Sequence, residues 1–143
     1  MLNQAITRLQ VETRGPGFTD LTVQARLWLE KINAIEGLLT VFIRHTSASL
    51  VIQENADPDV RVDLETALDG LAPRSAAYQH TTEGADDMPA HIKSMLTSTS
   101  IGIPVTGELP VLGTWQALYL VEHRDQPHRR EVVLHFVGEL AAQ

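Results

Sequence analysis

An α+β sandwich of mixed or antiparallel β-sheet with about three helices is the fold class this sequence predicts. Three patterns predict it: strand-like runs occupy both ends of the chain, apolar residues recur at helical spacing in internal stretches, and no repeat or long Ser- or Pro-rich linker interrupts them. A length of 143 residues suits one hydrophobic core, so residues 1–143 are read as a single domain.

Residues 3 to 13 read as the first strand. After the Gly15-Pro16-Gly17 turn, Leu21, Ala25, Trp28, Leu29 and Ile32 fall at helical spacing, with Thr19 or Asp20 placed to cap the helix and Gly37 to punctuate its end. Leu38 to Ile43 and Leu50 to Ile52 are apolar, β-branched-rich runs expected to form neighbouring strands, with His45 to Ser49 between them. Asp57-Pro58 signals a helix start, Asp at the N-cap and Pro at the first helical position; Val60, Leu64, Ala67 and Leu68 continue it and Gly70 stops it. Residues 71 to 87, rich in Pro, Gly and polar groups, read as a long loop of the kind that often carries function. Asp86 or Asp87 then caps a third helix through Ile92, Met95 and Leu96, with His91 in its first turn. Strands are expected at about 100 to 106, 114 to 124 and 130 to 140.

The formal charge is −7, from 11 Lys and Arg against 18 Asp and Glu, which argues against a nucleic-acid partner and against a membrane surface. Cysteine is absent, so disulfides, thiolate nucleophiles and Cys-held metals are excluded and any metal must rest on His, Asp, Glu or water. No basic start leads into an apolar signal region and no run approaches about 18 apolar residues, which makes the cytoplasm the expected location.

Of six histidines, His45, His80 and His91 lie near loop or element ends, where side chains can converge, while His123, His128 and His135 belong to the C-terminal strands and their turn. Their spacing contains no His-Glu-x-x-His pair, and by spacing alone local hydrogen bonding is the favoured role for each. Glu83, Asp86 and Asp87 add carboxylates beside His80 and His91. Asp87 is read first as a helix cap, whereas Glu83 precedes Gly84, a residue able to turn the carboxylate inward through a positive φ. Thr46, Ser47 and Ser49 lack the Gly-x-Ser-x-Gly setting of a hydrolase nucleophile; their hydroxyls either bind a phosphate or tie down the strand connection. Arg124, Arg129 and Arg130 flank a hairpin-like turn, where they either clamp a phosphate or face water. Gln116, after Gly113, offers an amide able to read a substrate, and Trp115 beside it is more often core.

Five segments together carry a resemblance: His45-Thr46-Ser47-Ala48-Ser49-Leu50, Glu54-Asn55-Ala56-Asp57-Pro58, Tyr78-Gln79-His80-Thr81-Thr82-Glu83-Gly84, Asp86-Asp87-Met88-Pro89-Ala90-His91-Ile92-Lys93 and Gly113-Thr114-Trp115-Gln116. In this order the chain resembles the YjbQ family, small proteins long described as uncharacterised and also called the secondary thiamine-phosphate synthase family. The resemblance spans nearly the whole chain. It implies a homotrimer with a histidine-centred site and, in some members, a weak thiamine-phosphate synthase activity on phosphorylated small molecules.

Under that resemblance His45, His80 and His91 are the expected metal ligands, three imidazoles leaving an open position for water or substrate. Zinc is the first choice, with nickel, cobalt and manganese also accepting such ligands; magnesium suits a phosphorylated substrate but prefers oxygen donors. Glu83, Arg124 and Gln116 are the expected catalytic side chains, and Thr46, Ser47, Ser49 and Arg129 the expected phosphate or cofactor contacts. Alternatives are a metal-dependent hydrolase with Glu83 as base, or a non-enzymatic metal- or metabolite-binding trimer.

Overall fold

The computed structural model of the chain describes residues 1–142. Eight strands and three helices follow one another as β1 (Asn3–Glu12), β2 (Gly17–Asp20), α1 (Thr22–Lys31), β3 (Ala34–Ile43), β4 (Ala48–Glu54), α2 (Pro58–Leu71), α3 (Asp87–Leu96), β5 (Ser100–Thr106), β6 (Leu109–Pro110), β7 (Gln116–Glu122) and β8 (Arg129–Leu140). The fold is α+β, as expected. One sheet has five strands in the order β1-β8-β3-β5-β6 and the other three in the order β2-β7-β4, every pairing antiparallel.

Strict alternation builds the layers. In β8 the residues Val132, Leu134 and Phe136 are buried while Val133 and Val137 point away, and β3 repeats this with Leu39, Val41 and Ile43 inward and Leu38 and Phe42 outward. The inward set meets Leu50, Leu118 and Leu120 of the smaller sheet, and Leu21, Ala25 and Leu29 of the α1 region close one side of the core. α2 differs, because none of its residues is buried.

Several expectations change on contact with the structure. The runs around Leu38–Ile43 and Leu50–Ile52 are strands but not sheet neighbours: β3 lies in the five-stranded sheet and β4 in the other. Residues 17–20 form a short strand on β7 rather than part of a turn, and Asp20 Oδ1 accepts the Thr22 N–H at 2.8 Å from just outside the helix. Gly37 does not end α1, which stops at Lys31 ahead of the positive-φ residue Asn33. It sits inside β3 opposite Gly138 of β8, where a Cβ would fall 2.3 Å from the Val137 carbonyl and 2.8 Å from the Phe136 ring. Glycine is needed there for close approach of two strands under an aromatic ring, a role that local sequence does not distinguish from helix termination. Asp57 caps α2 as expected, accepting the Asp59 N–H at 2.9 Å.

Candidate functional site

The long loop of residues 72–86 delivers His80 to the start of α3, and the helix supplies the rest. Asp87 is its first residue and His91 its fifth, one turn apart on the same face, so His91 lies in the second turn rather than the first. His80 Nε2 stands 2.6 Å and His91 Nε2 3.2 Å from the same oxygen, Asp87 Oδ2. The three donor atoms all lie within 4.8 Å of one another. The histidines are reachable, with 42% and 32% of their side chains exposed, while the carboxylate between them retains 3%.

Asp87 therefore is not a cap. Its other oxygen accepts Arg124 Nη1 at 2.8 Å, and the same guanidinium donates through Nε to Asp86 Oδ2 at 2.8 Å and through Nη2 to the Glu83 carbonyl at 2.9 Å. Asp86 also accepts the Asp125 N–H. Burial alone would raise the Asp87 carboxyl, but its side-chain hydrogen bonds, that with His80 first, and the Arg124 charge outweigh it and hold the group below the usual carboxylate range. A buried anion fixed from behind by an arginine and flanked by two imidazoles results. Glu83 is mostly exposed, with Oε2 3.5 Å from His80 Nε2, and Gly84 beside it has the expected positive φ of 107°.

His45 stands outside this cluster. Its Nε2 accepts the Glu131 N–H at 2.8 Å, which takes up that nitrogen's lone pair, and its Nδ1 lies 3.4 Å from Arg130 Nη1. Burial and the Arg130 charge lower its pKa. With Thr46 it lines a shallow hollow that His91 also borders. Within one chain the residues that converge are His80, Asp87 and His91; of the expected His45, His80 and His91, His45 is not brought to them.

The remaining expected contacts divide. Arg124 is in the cluster, but its donors are given to carboxylates and a carbonyl, which leaves it a counter-ion for Asp87 rather than a free phosphate clamp. Ser47 is tied to Arg130 Nη2 through both its carbonyl and its hydroxyl, and Ser49 is fully buried, its hydroxyl 2.8 Å from His123 Nε2 and 2.6 Å from Thr97 Oγ1. These two serines secure the strand connection. Arg129 pairs with Glu12 in solvent. Gln116 begins β7 and binds the Gly113 N–H at 2.8 Å, roughly 20 Å of strand from the Arg124 end at ~3.3 Å per residue; the structure does not bring it to the cluster. Trp115 is exposed rather than core.

The donor set fits a divalent ion. Two imidazole nitrogens and one carboxylate oxygen suit zinc and its first-row neighbours, and suit magnesium poorly. Ligands at about 2.0–2.1 Å from a tetrahedral ion stand about 3.3 Å apart, so the Asp87–His91 separation already fits and His80 has to withdraw by about 0.7 Å. Its position on an open loop permits that.

A family model described as UPF0047 protein YjbQ-like matches residues 7–139. The Synechocystis sp. protein named UPF0047 protein sll1880 is 48% identical over 133 residues, 92% of this chain and 90% of its own length. The Bacillus subtilis UPF0047 protein YugU is 30% identical over 131 residues, 91% of this chain and 97% of its own. Among solved structures, a yjbq/upf0047 family protein from Clostridium acetobutylicum matches with a TM-score of 0.84 at 32% identity, covering 91% of this chain and 98% of that one. A YbjQ-like protein of unknown function from Sulfolobus solfataricus reaches a TM-score of 0.89 at 23% identity, which bears on the fold alone.

Proposed function

Because this chain belongs to the YjbQ-like UPF0047 family, we propose that it is a small cytoplasmic metalloprotein that binds one divalent transition metal, zinc first, through His80, Asp87 and His91 and acts on a phosphorylated small molecule. The observation that carries this reading is the convergence of His80 and His91 on the single buried oxygen of Asp87. An ion held there would supply Lewis-acid stabilisation of charge on substrate oxygens. Arg124 keeps the Asp87 carboxylate ionised and aimed at the imidazoles. Glu83 stands at the rim with its carboxylate 3.5 Å from His80 Nε2, placed to take up a proton from a group bound beside it.

Thiamine-phosphate formation is the reaction the family resemblance favours. There a pyrimidine methyl pyrophosphate releases pyrophosphate and a thiazole phosphate nitrogen attacks the exposed carbon, and the protein's task is to position both partners. Hydrolysis of a phosphate ester is the second reading, favoured by the closeness of the Glu83 carboxylate to His80. A homotrimer is the proposed assembly. It draws support from an outward sheet face on which Ile6, Leu38, Phe42 and Val137 are all exposed, an apolar surface that association would cover. Light scattering at micromolar concentration should return three times the 15.8 kDa chain mass; a monomer mass would end that part.

Metal analysis of the purified chain tests the site. The wild type should hold transition metal in stoichiometric amount; His91→Ala should lose it by orders of magnitude while circular dichroism is unchanged, and His128→Ala should retain it. Assays for thiamine-phosphate formation and for ester hydrolysis, each with and without chelator, separate the two reactions. Full metal content in His91→Ala, or full activity after chelation, would overturn the metalloenzyme reading.

A further inference from the structure

Two residues beyond His91, and so about 200° around α3, Lys93 faces a different space. Between α2 and the three-stranded sheet lie two cavities that share Leu68 and Val121 as walls. The larger, about 350 Å³, is mostly apolar, bounded by Phe18, Val51, Leu64 and Leu96. The smaller, about 130 Å³, is bounded by Glu65, Asp69, Arg74, Lys93 and His123. α2 spans both, which explains why a helix with Leu64 and Leu68 on one face buries no residue: its apolar stripe overlies open volume in place of core.

The polar end sets one buried imidazole among charged groups that are partly or largely exposed. His123 is 4% exposed and its Nε2 is bonded to Ser49, but its Nδ1 meets no protein partner. Among the described residues every enclosed side-chain nitrogen or oxygen is satisfied, so Nδ1 is an atom that opens on the cavity. Burial, helped by the Lys93 charge, pushes this imidazole down to about 4, which leaves it neutral near pH 7. The cations here are already matched: Lys93 Nζ lies 2.5 Å from Asp69, and Arg74 makes two bonds to Asp125. Glu65 forms no such bond, and its Oε1 reaches to 3.7 Å from where a Gly17 Cβ would stand. With Arg74 matched by Asp125, Glu65 and Asp69 face the single Lys93 cation, so the net charge at this end is negative; burial and Asp69 raise the Glu65 carboxyl, and the Lys93 charge opposes them.

We propose that these two adjoining cavities form a second ligand site, separate from the metal cluster, for a small aromatic amine whose ring fills the lobe between Phe18 and Leu64 and whose cationic nitrogen meets the Glu65 carboxylate. The larger lobe is of small-ligand size and mostly apolar, and the charged groups line the smaller cavity beside it. An anionic head would face Glu65 with no free cation to receive it.

Calorimetry and protein-observed NMR with 4-aminoquinoline as the probe, and quinoline-4-carboxylate as its anionic counterpart, test the proposal on the full chain. The amine should bind saturably, moving the resonances of Leu64, Leu68 and His123, and the carboxylate should bind on the order of tenfold more weakly or not at all. Leu64→Trp should fill the lobe and abolish binding. Should that variant fail to fold, Glu65→Gln carries the test, with a loss of about tenfold expected. Binding should persist in His91→Ala, which separates this site from the metal reading. Equal binding of the two probes, an unchanged affinity in Glu65→Gln, loss of binding in His91→Ala, or no saturable binding would each overturn it.

Discussion

Two regions of this protein are made from the same residue types and behave oppositely. At the start of α3, His80 and His91 lean on Asp87 with their rings partly in solvent. Behind β4 and β7, His123, Ser49, Glu122 and Arg130 are all buried, Glu122 receiving Arg130 through both oxygens as well as Thr13 and the Arg124 N–H. In the first region one buried carboxylate serves two reachable imidazoles. In the second the donors and acceptors are spent on one another inside the protein, His123 Nδ1 excepted. Exposure of the donor atoms, more than the identity of the residues, separates a site that can take a ligand from a network that holds strands together.

The largest test of that difference is Glu122→Ala. It strands the Arg130 guanidinium without its partner in a buried position and should cost about 3–5 kcal/mol of unfolding free energy. Urea denaturation near neutral pH measures it; a loss within the ~1 kcal/mol typical of an exposed pair would mean that water reaches the network and the contrast is wrong.

Acid should reveal the second region too. The folded-state value of about 4 for His123 lies below the ordinary 6.5, so between those pH values the unfolded chain binds more protons than the folded one. Stability from this group is complete above about pH 6.5, falls as pH decreases, and levels off near 4, for a total of ~3 kcal/mol at about 1.4 kcal/mol per unit. Glu122, held below the usual carboxylate range despite burial by Arg130, Arg124 and Thr13, loses its contribution only at lower pH. Stability curves of the wild type and His123→Gln should diverge in slope across that upper window; parallel curves would show that His123 charges without penalty.

The smallest effect belongs to the open region. Arg124→Gln removes the cation behind Asp87 and should weaken metal binding by about 10–100-fold, with Arg124→Lys recovering part of it. Competition with a chromogenic chelator reads the affinity directly. An unchanged value in Arg124→Gln would mean that Asp86 and the helix hold Asp87 unaided.

Most of the fold was legible because alternation and helical spacing are local signals: β1, β5, β7, β8 and α2 fall close to where periodicity, Pro58 and Gly70 put them. The sheet assignment of Leu38–Ile43 and Leu50–Ile52 was not, since adjacency in sequence says nothing about which layer a strand joins. The site was half legible. His80 and His91 stand together as the motifs implied, but the Asp-Asp doublet offered two candidates for one cap and the structure uses neither side chain for it. Asp87 carried a readable signal, a four-residue spacing to His91 on one helical face. His45 and Ser49 carried none, because their partners Glu131 and His123 come from more than 70 residues away.

The position of β8 between β1 and β3 shapes how the chain is made. The last of the described strands is interior to the larger sheet, and it pairs residue 3 with residue 138. Until synthesis reaches this segment, β1 and β3 have no partner between them, and the apolar faces of both wait uncovered. Contacts of such long sequence separation close slowly, because the loop entropy is spent before any pairing offsets it. A chain shortened by the length of β8 would therefore lose the seam of its main sheet rather than a dispensable tail, and the nascent protein passes through a stage in which two bare strand edges invite association with other chains.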